Sequence, residues 1–174
     1  MGPYTVSQKI DRPRQEVFDY LADTANFPEF TDHFLQDWDM VQEETRGMGA
    51  GGRFKLKVLF GRFAWGDSAI VEMEPPRLIV MAGRSGKYNR IKNLWVFELA
   101  DNGDGSTEVT ATVETRPPLP TDKAMEAVWE ARPMRRGWRK AMRRLATILE
   151  EDRERGPRAT IAGGPRKPAT GLRV

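Results

Sequence analysis

The sequence predicts an α+β fold: a curved antiparallel sheet of about six to seven strands wrapped around a long C-terminal helix, with two short helices after strand 1. Three observations predict it. Thr121 to Asp152 places Met125, Val128, Trp129, Met134, Trp138, Met142, Leu145, Ile148 and Leu149 at three- and four-residue steps, which is one helical face. Between the N-terminal helices and that segment the chain alternates apolar and polar residues in runs separated by short turns. One long helix is then available to cover one face of one sheet.

In chain order, Tyr4 to Asp11 alternates and reads as the first strand. Pro13 suits the first turn of a helix, Asp11 is a cap candidate, and Val17, Phe18 and Leu21 form the buried stripe. Phe27, Pro28, Phe30 and Phe34 mark a second short helix or turn. A second strand is expected from about Asp37 to Glu44. Gly47, Gly49, Gly51 and Gly52 then make a hairpin loop. Further strands are expected at Phe54–Phe60, Phe63–Met73, Leu78–Gly83, Ile91–Leu99 and Glu108–Thr115, with Asp101-Asn102-Gly103-Asp104-Gly105 as a turn. Pro117-Pro118-Leu119-Pro120 bridges to the helix. Within the helix, Pro133 removes a bond to the carbonyl of Trp129 and predicts a kink or break, which Gly137 loosens further. Residues 1–154 form one domain, and 155–174 read as a basic, disordered tail rich in Pro, Gly, Thr and Arg.

A chain of 174 residues with 39% hydrophobic and 30% charged content has room for a real core. Without cysteine there is no disulfide, thiolate site or cysteine nucleophile, and the single histidine, His33, rules out a multi-histidine metal site within one chain. No metal and no cofactor are expected. No apolar run approaches the roughly 20 residues that span a bilayer. The N-terminus shows no secretory signal, so the expected compartment is the cytoplasm. The net charge of +3 is uneven: Arg155, Arg158, Arg166, Lys167 and Arg173 lie in a tail without acidic residues, which leaves the body slightly negative. That argues against a nucleic-acid partner.

Ile10-Asp11-Arg12-Pro13, Glu16 to Asp23, Asn26-Phe27-Pro28-Glu29-Phe30, Val71-Glu72-Met73-Glu74-Pro75-Pro76-Arg77-Leu78 and Asp101 to Val109, followed by the terminal helix, occur in an order that resembles the START-like or SRPBCC superfamily, the helix-grip fold. The resemblance covers residues 4 to 153 and is nearest the polyketide cyclase/dehydrase and lipid-transport branch. It implies a cavity between sheet and helix and a hydrophobic ligand, lipid-like or polyketide-like, that is bound or carried. The alternative it implies is a cyclase or aromatase acting on a ligand held in the same cavity.

Trp65, Asp67, Asn93, Trp95, Met125, Trp129 and Met134 are the candidate ligand-binding residues; no catalytic residue is assigned. Aromatic and Met side chains suit a hydrophobic pocket as well as a core. Asp67 and Asn93 sit on strand faces shared with Trp65, Val71, Trp95 and Phe97. They either bond each other, backbone or water, or orient a ligand hydroxyl or carbonyl. His33 offers a general base or a surface or capping residue. Gly47 to Gly52 matches G-x-G-x-x-G by letter, but strand residues follow it where a dinucleotide site needs a helix. Arg84, Lys87, Tyr88 and Arg90 make either a solvated turn or an entrance for an anionic head. Arg132, Arg135, Arg136, Arg139, Lys140, Arg143 and Arg144 make the outer helix face basic, either as a solvated face or, with the tail, as a weak membrane-surface contact.

Overall fold

A computed structural model describes residues 2–57, 63–125 and 131–161. Strand β1 (Tyr4–Ile10) leads through Pro13 into α1 (Arg14–Ala22), and a 3₁₀ turn at Thr24–Asn26 leads into α2 (Phe27–Thr31). Then follow β2 (Leu35–Met40), β3 (Gly51–Lys57), β4 (Phe63–Glu74), β5 (Leu78–Ser85), β6 (Ile91–Asp101) and β7 (Thr107–Arg116). Helices α3 (Pro120–Met125) and α4 (Ala131–Glu151) and a short β8 (Thr160–Ile161) follow among the described residues.

The sheet order is β1-β7-β6-β5-β4-β3-β2-β8. β2 to β7 form a meander of neighbours, β1 returns to pair with β7, and every pairing except the parallel β2–β8 contact is antiparallel. The sheet curls into a half-barrel around α4. That helix runs alongside β1 in the same direction: Arg135 lies 5.4 Å from the Tyr4 ring at one end, and Glu150 accepts the Asp11 N–H at 2.7 Å at the other. Its buried face carries Trp138, Met142, Leu145 and Ile148 of the expected stripe, with Ala141 beside them.

Within the bowl the aromatics meet. Trp38 stacks on Phe54 at 4.7 Å between centroids and on Phe27 at 5.5 Å; Trp95 lies 5.4 Å from Phe54 and 5.2 Å from Trp138. Beneath Trp138 the bowl is therefore filled by rings, each burying a large apolar area.

α4 is described from Ala131, so Pro133 lies in its first turn, and the expected kink against the carbonyl of residue 129 falls on residues outside the described part of the chain. Three expectations change. Gly137 serves a close approach instead of a loosened hinge: a Cβ there would lie 2.7 Å from the Phe34 ring. Strand β2 starts earlier than expected, and Asp37, at φ 49°, marks a bulge that turns Trp38 inward. Finally, the disordered tail does not start at residue 155. Gly156 donates to the Glu29 carbonyl, Ala159 to that of Ala25, and Thr160–Ile161 pair with Asp39–Met40. Residues 162–174 lie outside the described part of the chain.

Candidate binding site

The inward positions of five neighbouring strands form one row: Gly52 on β3, Ser68 on β4, Gly83 on β5, Asn93 on β6 and Thr115 on β7. Gly52 pairs with Ser68, Gly83 with Asn93 and Asn93 with Thr115, while Ser68 lies beside Gly83. The next row towards the core is apolar, with Ile70, Met81, Trp95 and Val113. A small, polar row thus crosses an otherwise aromatic and aliphatic bowl.

Its smallness has a cause. A Cβ on Gly52 would fall 2.1 Å from Trp38 Nε1, so the indole lies directly on the glycine backbone. Three side-chain atoms of this region are buried without a hydrogen-bond partner among the described residues: Trp38 Nε1, Ser68 Oγ and Asn93 Oδ1. The three residues are 5%, 2% and 6% exposed. An orphaned buried polar atom costs about 1–3 kcal/mol, and native chains keep few of them.

Asn93 is held in place. Its Nδ2 donates to the Asp67 carbonyl at 3.1 Å, which fixes the amide plane and leaves Oδ1 as an oriented acceptor. The Asp67 carbonyl is available because the β4–β5 ladder is interrupted there, with bridges at Gly66–Ser85 and Ala69–Ala82 and none between. The Asp67 carboxylate takes the displaced donor instead, accepting from Arg84 N–H at 2.9 Å and from Asn89 Nδ2 at 2.9 Å.

This corrects the expected face of β4. Gly66, Ser68 and Ile70 point inward, whereas Trp65 is 40% exposed and the Asp67 carboxylate lies on the outer side. Trp65 is covered from outside by Arg53 at 4.4 Å and Lys55 at 5.0 Å, cations on the neighbouring strand. The Trp65 side chain and the Asp67 carboxylate are therefore turned away from the bowl that Asn93 and Trp95 face, and Asp67 touches Asn93 only through its backbone carbonyl. Met134 is half-buried against the core. The Met125 side chain and Trp129 lie outside the described residues. Ser68 and Trp38 carry no mark in the sequence beyond their strand positions.

His33 sits at the end of α2, with Nε2 donating to the Gly137 carbonyl at 3.0 Å and Nδ1 buried without a partner among the described residues. Burial holds its pKa below the ordinary histidine value, opposed by that hydrogen bond and assisted by Lys140 and Arg144. It braces helix against corner and is not on the polar row. A cleft of about 470 Å³ opens on the outer face of the same region, with Arg84, Lys92, Leu94, Glu114 and Arg116 among its lining residues. Glu114 and Arg116 pair there through two hydrogen bonds of 2.7 and 3.1 Å. No group of three or more potential metal ligands occurs among the described residues.

Residues 1–150 match the family model described as polyketide cyclase / dehydrase and lipid transport. The chain belongs to that family. Among solved structures, this chain is similar to the major latex-like protein 151 of Panax ginseng. That likeness has a TM-score of 0.64 at 14% identity and covers 86% of this chain and 97% of that one. It is similar also to a protein from Thermus thermophilus, with a TM-score of 0.67 at 12% identity over 84% and 96% of the two chains. A protein from Rhizobium loti gives a TM-score of 0.59 at 21% identity over 85% and 96%. At these identities the likeness is one of fold. No curated protein matches the sequence.

Proposed function

We propose that this protein binds a small hydrophobic molecule between the sheet and α4, with one uncharged polar group of the ligand seated on the row of Trp38, Ser68 and Asn93. The observation that carries this reading is the set of three orphaned polar atoms on one aromatic-walled row. A donor, a hydroxyl and an oriented acceptor together fit a hydroxyl or carbonyl that both gives and takes a hydrogen bond. The family description, which joins polyketide chemistry to lipid transport, suits such a ligand. Trp95 is retained from the expected binding residues as a wall of the site, and Met134 as part of its helical side.

The row carries no ionised side chain, which favours a neutral head over a carboxylate: an ion there would lose hydration without gaining a counter-charge. The Asp67 carboxylate, bound by Arg84 and Asn89 on the outer side, is not aimed at the row. That geometry favours binding over proton transfer by Asp67.

Calorimetric titration with naphthol, naphthalene and decanoate tests the reading. Naphthol is expected to bind more tightly than either analogue. Asn93→Ala should weaken naphthol about tenfold, the value of one hydrogen bond, and leave naphthalene unchanged. Equal naphthol affinity in the wild type and Asn93→Ala, or tighter binding of decanoate, would overturn it.

A further inference from the structure

The cations of α4 divide into two sets. Arg144, on the side turned to α2, forms an ion pair with Asp32, and Arg135 lies over the Tyr4 ring. Arg132, Arg136, Arg139, Lys140 and Arg143 are all exposed and have no ion-pair partner among the described residues. At 100° per residue these five, with Arg135, occupy roughly 140° of arc on the face opposite Trp138 and Leu145. The strip is roughly 17 Å long. From Ala131 to Leu149 the helix carries no acidic residue to relieve it.

The helix pays electrostatically for this arrangement. Arg132 and Arg136, Arg135 and Arg139, Arg136 and Lys140, and Arg139 and Arg143 are like charges four residues apart, each pair destabilising. A solvated face mixing Glu with Lys would avoid that cost. The unrelieved strip is therefore read as complementary to an extended anionic surface.

The surroundings favour a bilayer over nucleic acid. The arc has no aromatic residue on which bases stack. Two exposed side chains of the kind that enter a membrane interface stand where β6 begins and β7 ends: Tyr88 at 79% and Leu119 at 44% exposure. The N-terminal part of α4 lies towards that end, since Arg135 reaches Tyr4, which pairs with Val113 near the end of β7.

We propose that the outer arc of α4, with Leu119 and Tyr88 beside its N-terminal end, docks this protein on an anionic phospholipid surface. The surface is independent of what the interior binds. The full chain would be sedimented with vesicles of neutral phosphatidylcholine and with vesicles containing about one third phosphatidylglycerol. Binding is expected on the anionic vesicles alone and should fall as salt shortens the screening length below about 10 Å. Arg136→Glu with Arg139→Glu should lower partitioning at least tenfold at a melting temperature no lower than that of the wild type, since about fivefold is expected for each cation lost and four repulsive pairs are relieved. Arg136→Gln with Arg139→Gln should lower it less, and Leu119→Ser should weaken binding without altering its salt dependence. Equal binding to both vesicle types, wild-type binding by the double Glu variant, or tighter binding of a single-stranded RNA than of anionic vesicles at the same salt would overturn the proposal.

Discussion

At the residue scale, the chain is governed by small positions that admit large neighbours. Asn93 was legible as a polar group on an apolar face, because β6 keeps strict alternation from Ile91 to Leu99. Trp65 was not, since an aromatic on an alternating strand signals the core unless cations cover it from outside, as Arg53 and Lys55 do. Gly52 looked like hairpin punctuation, whereas its work is to leave room for the Trp38 indole. His33 gives a clean test at this scale because it is the only histidine. Burial favours its neutral form in the fold, so its folded pKa lies below the unfolded value near 6.5. The stability it contributes is present above pH 6.5 and is lost as the pH falls towards the lowered folded value. Urea unfolding of the wild type and of His33→Gln between pH 7.5 and 5 should show the wild type losing stability relative to the variant across that window. A gap that stays constant with pH would refute it.

At the element scale, the segment after α4 is a strap whose arginines meet acids buried under the two short helices. Arg155 reaches Glu29, which also accepts from the Tyr20 hydroxyl at 2.7 Å, and Arg158 pairs with Asp23. Burial and the bond to Glu29 raise the Tyr20 pKa. Asp23 has a second cation in Arg46 at 3.4 Å. Composition alone could not show this, because Gly, Pro and Arg are as frequent in loops that pack as in tails that do not. The partners also stand more than a hundred residues away in sequence. Deleting residues 155–174 should therefore cost about 2 kcal/mol, less than a fully buried pair because both arginines are partly exposed. In the truncated chain, Asp23→Asn should cost less than it does in the full chain, since the carboxylate it removes has lost one of its two cations. Additive effects of truncation and Asp23→Asn in urea unfolding would sink this account.

At the scale of the whole molecule, the architecture was legible because two periods meet in one chain. Alternation supplies the sheet, the 3.6-residue stripe supplies its cover, and short turns leave a meander as the economical connection. The packing inside the bowl was not legible, because periodicity says which residues face inward and nothing about how far their rings reach across. That reach decides the division of the interior. Trp138 descends from α4 to meet Trp95 at 5.2 Å, Phe34 at 5.5 Å and Phe97 at 6.1 Å, joining helix, corner and sheet. The bowl beneath the helix thereby becomes core, and the polar row borders it. Trp138→Ala should cost about 3–5 kcal/mol, the range for deleting a buried aromatic that leaves a cavity. The loss should fall on helix docking in particular, so hydrogen exchange in α4 should accelerate more than in β6 and β7. If Trp138→Ala destabilises the chain by less than about 1 kcal/mol, or exchange rises equally in helix and sheet, the ring contacts are not what clamps α4 to the bowl.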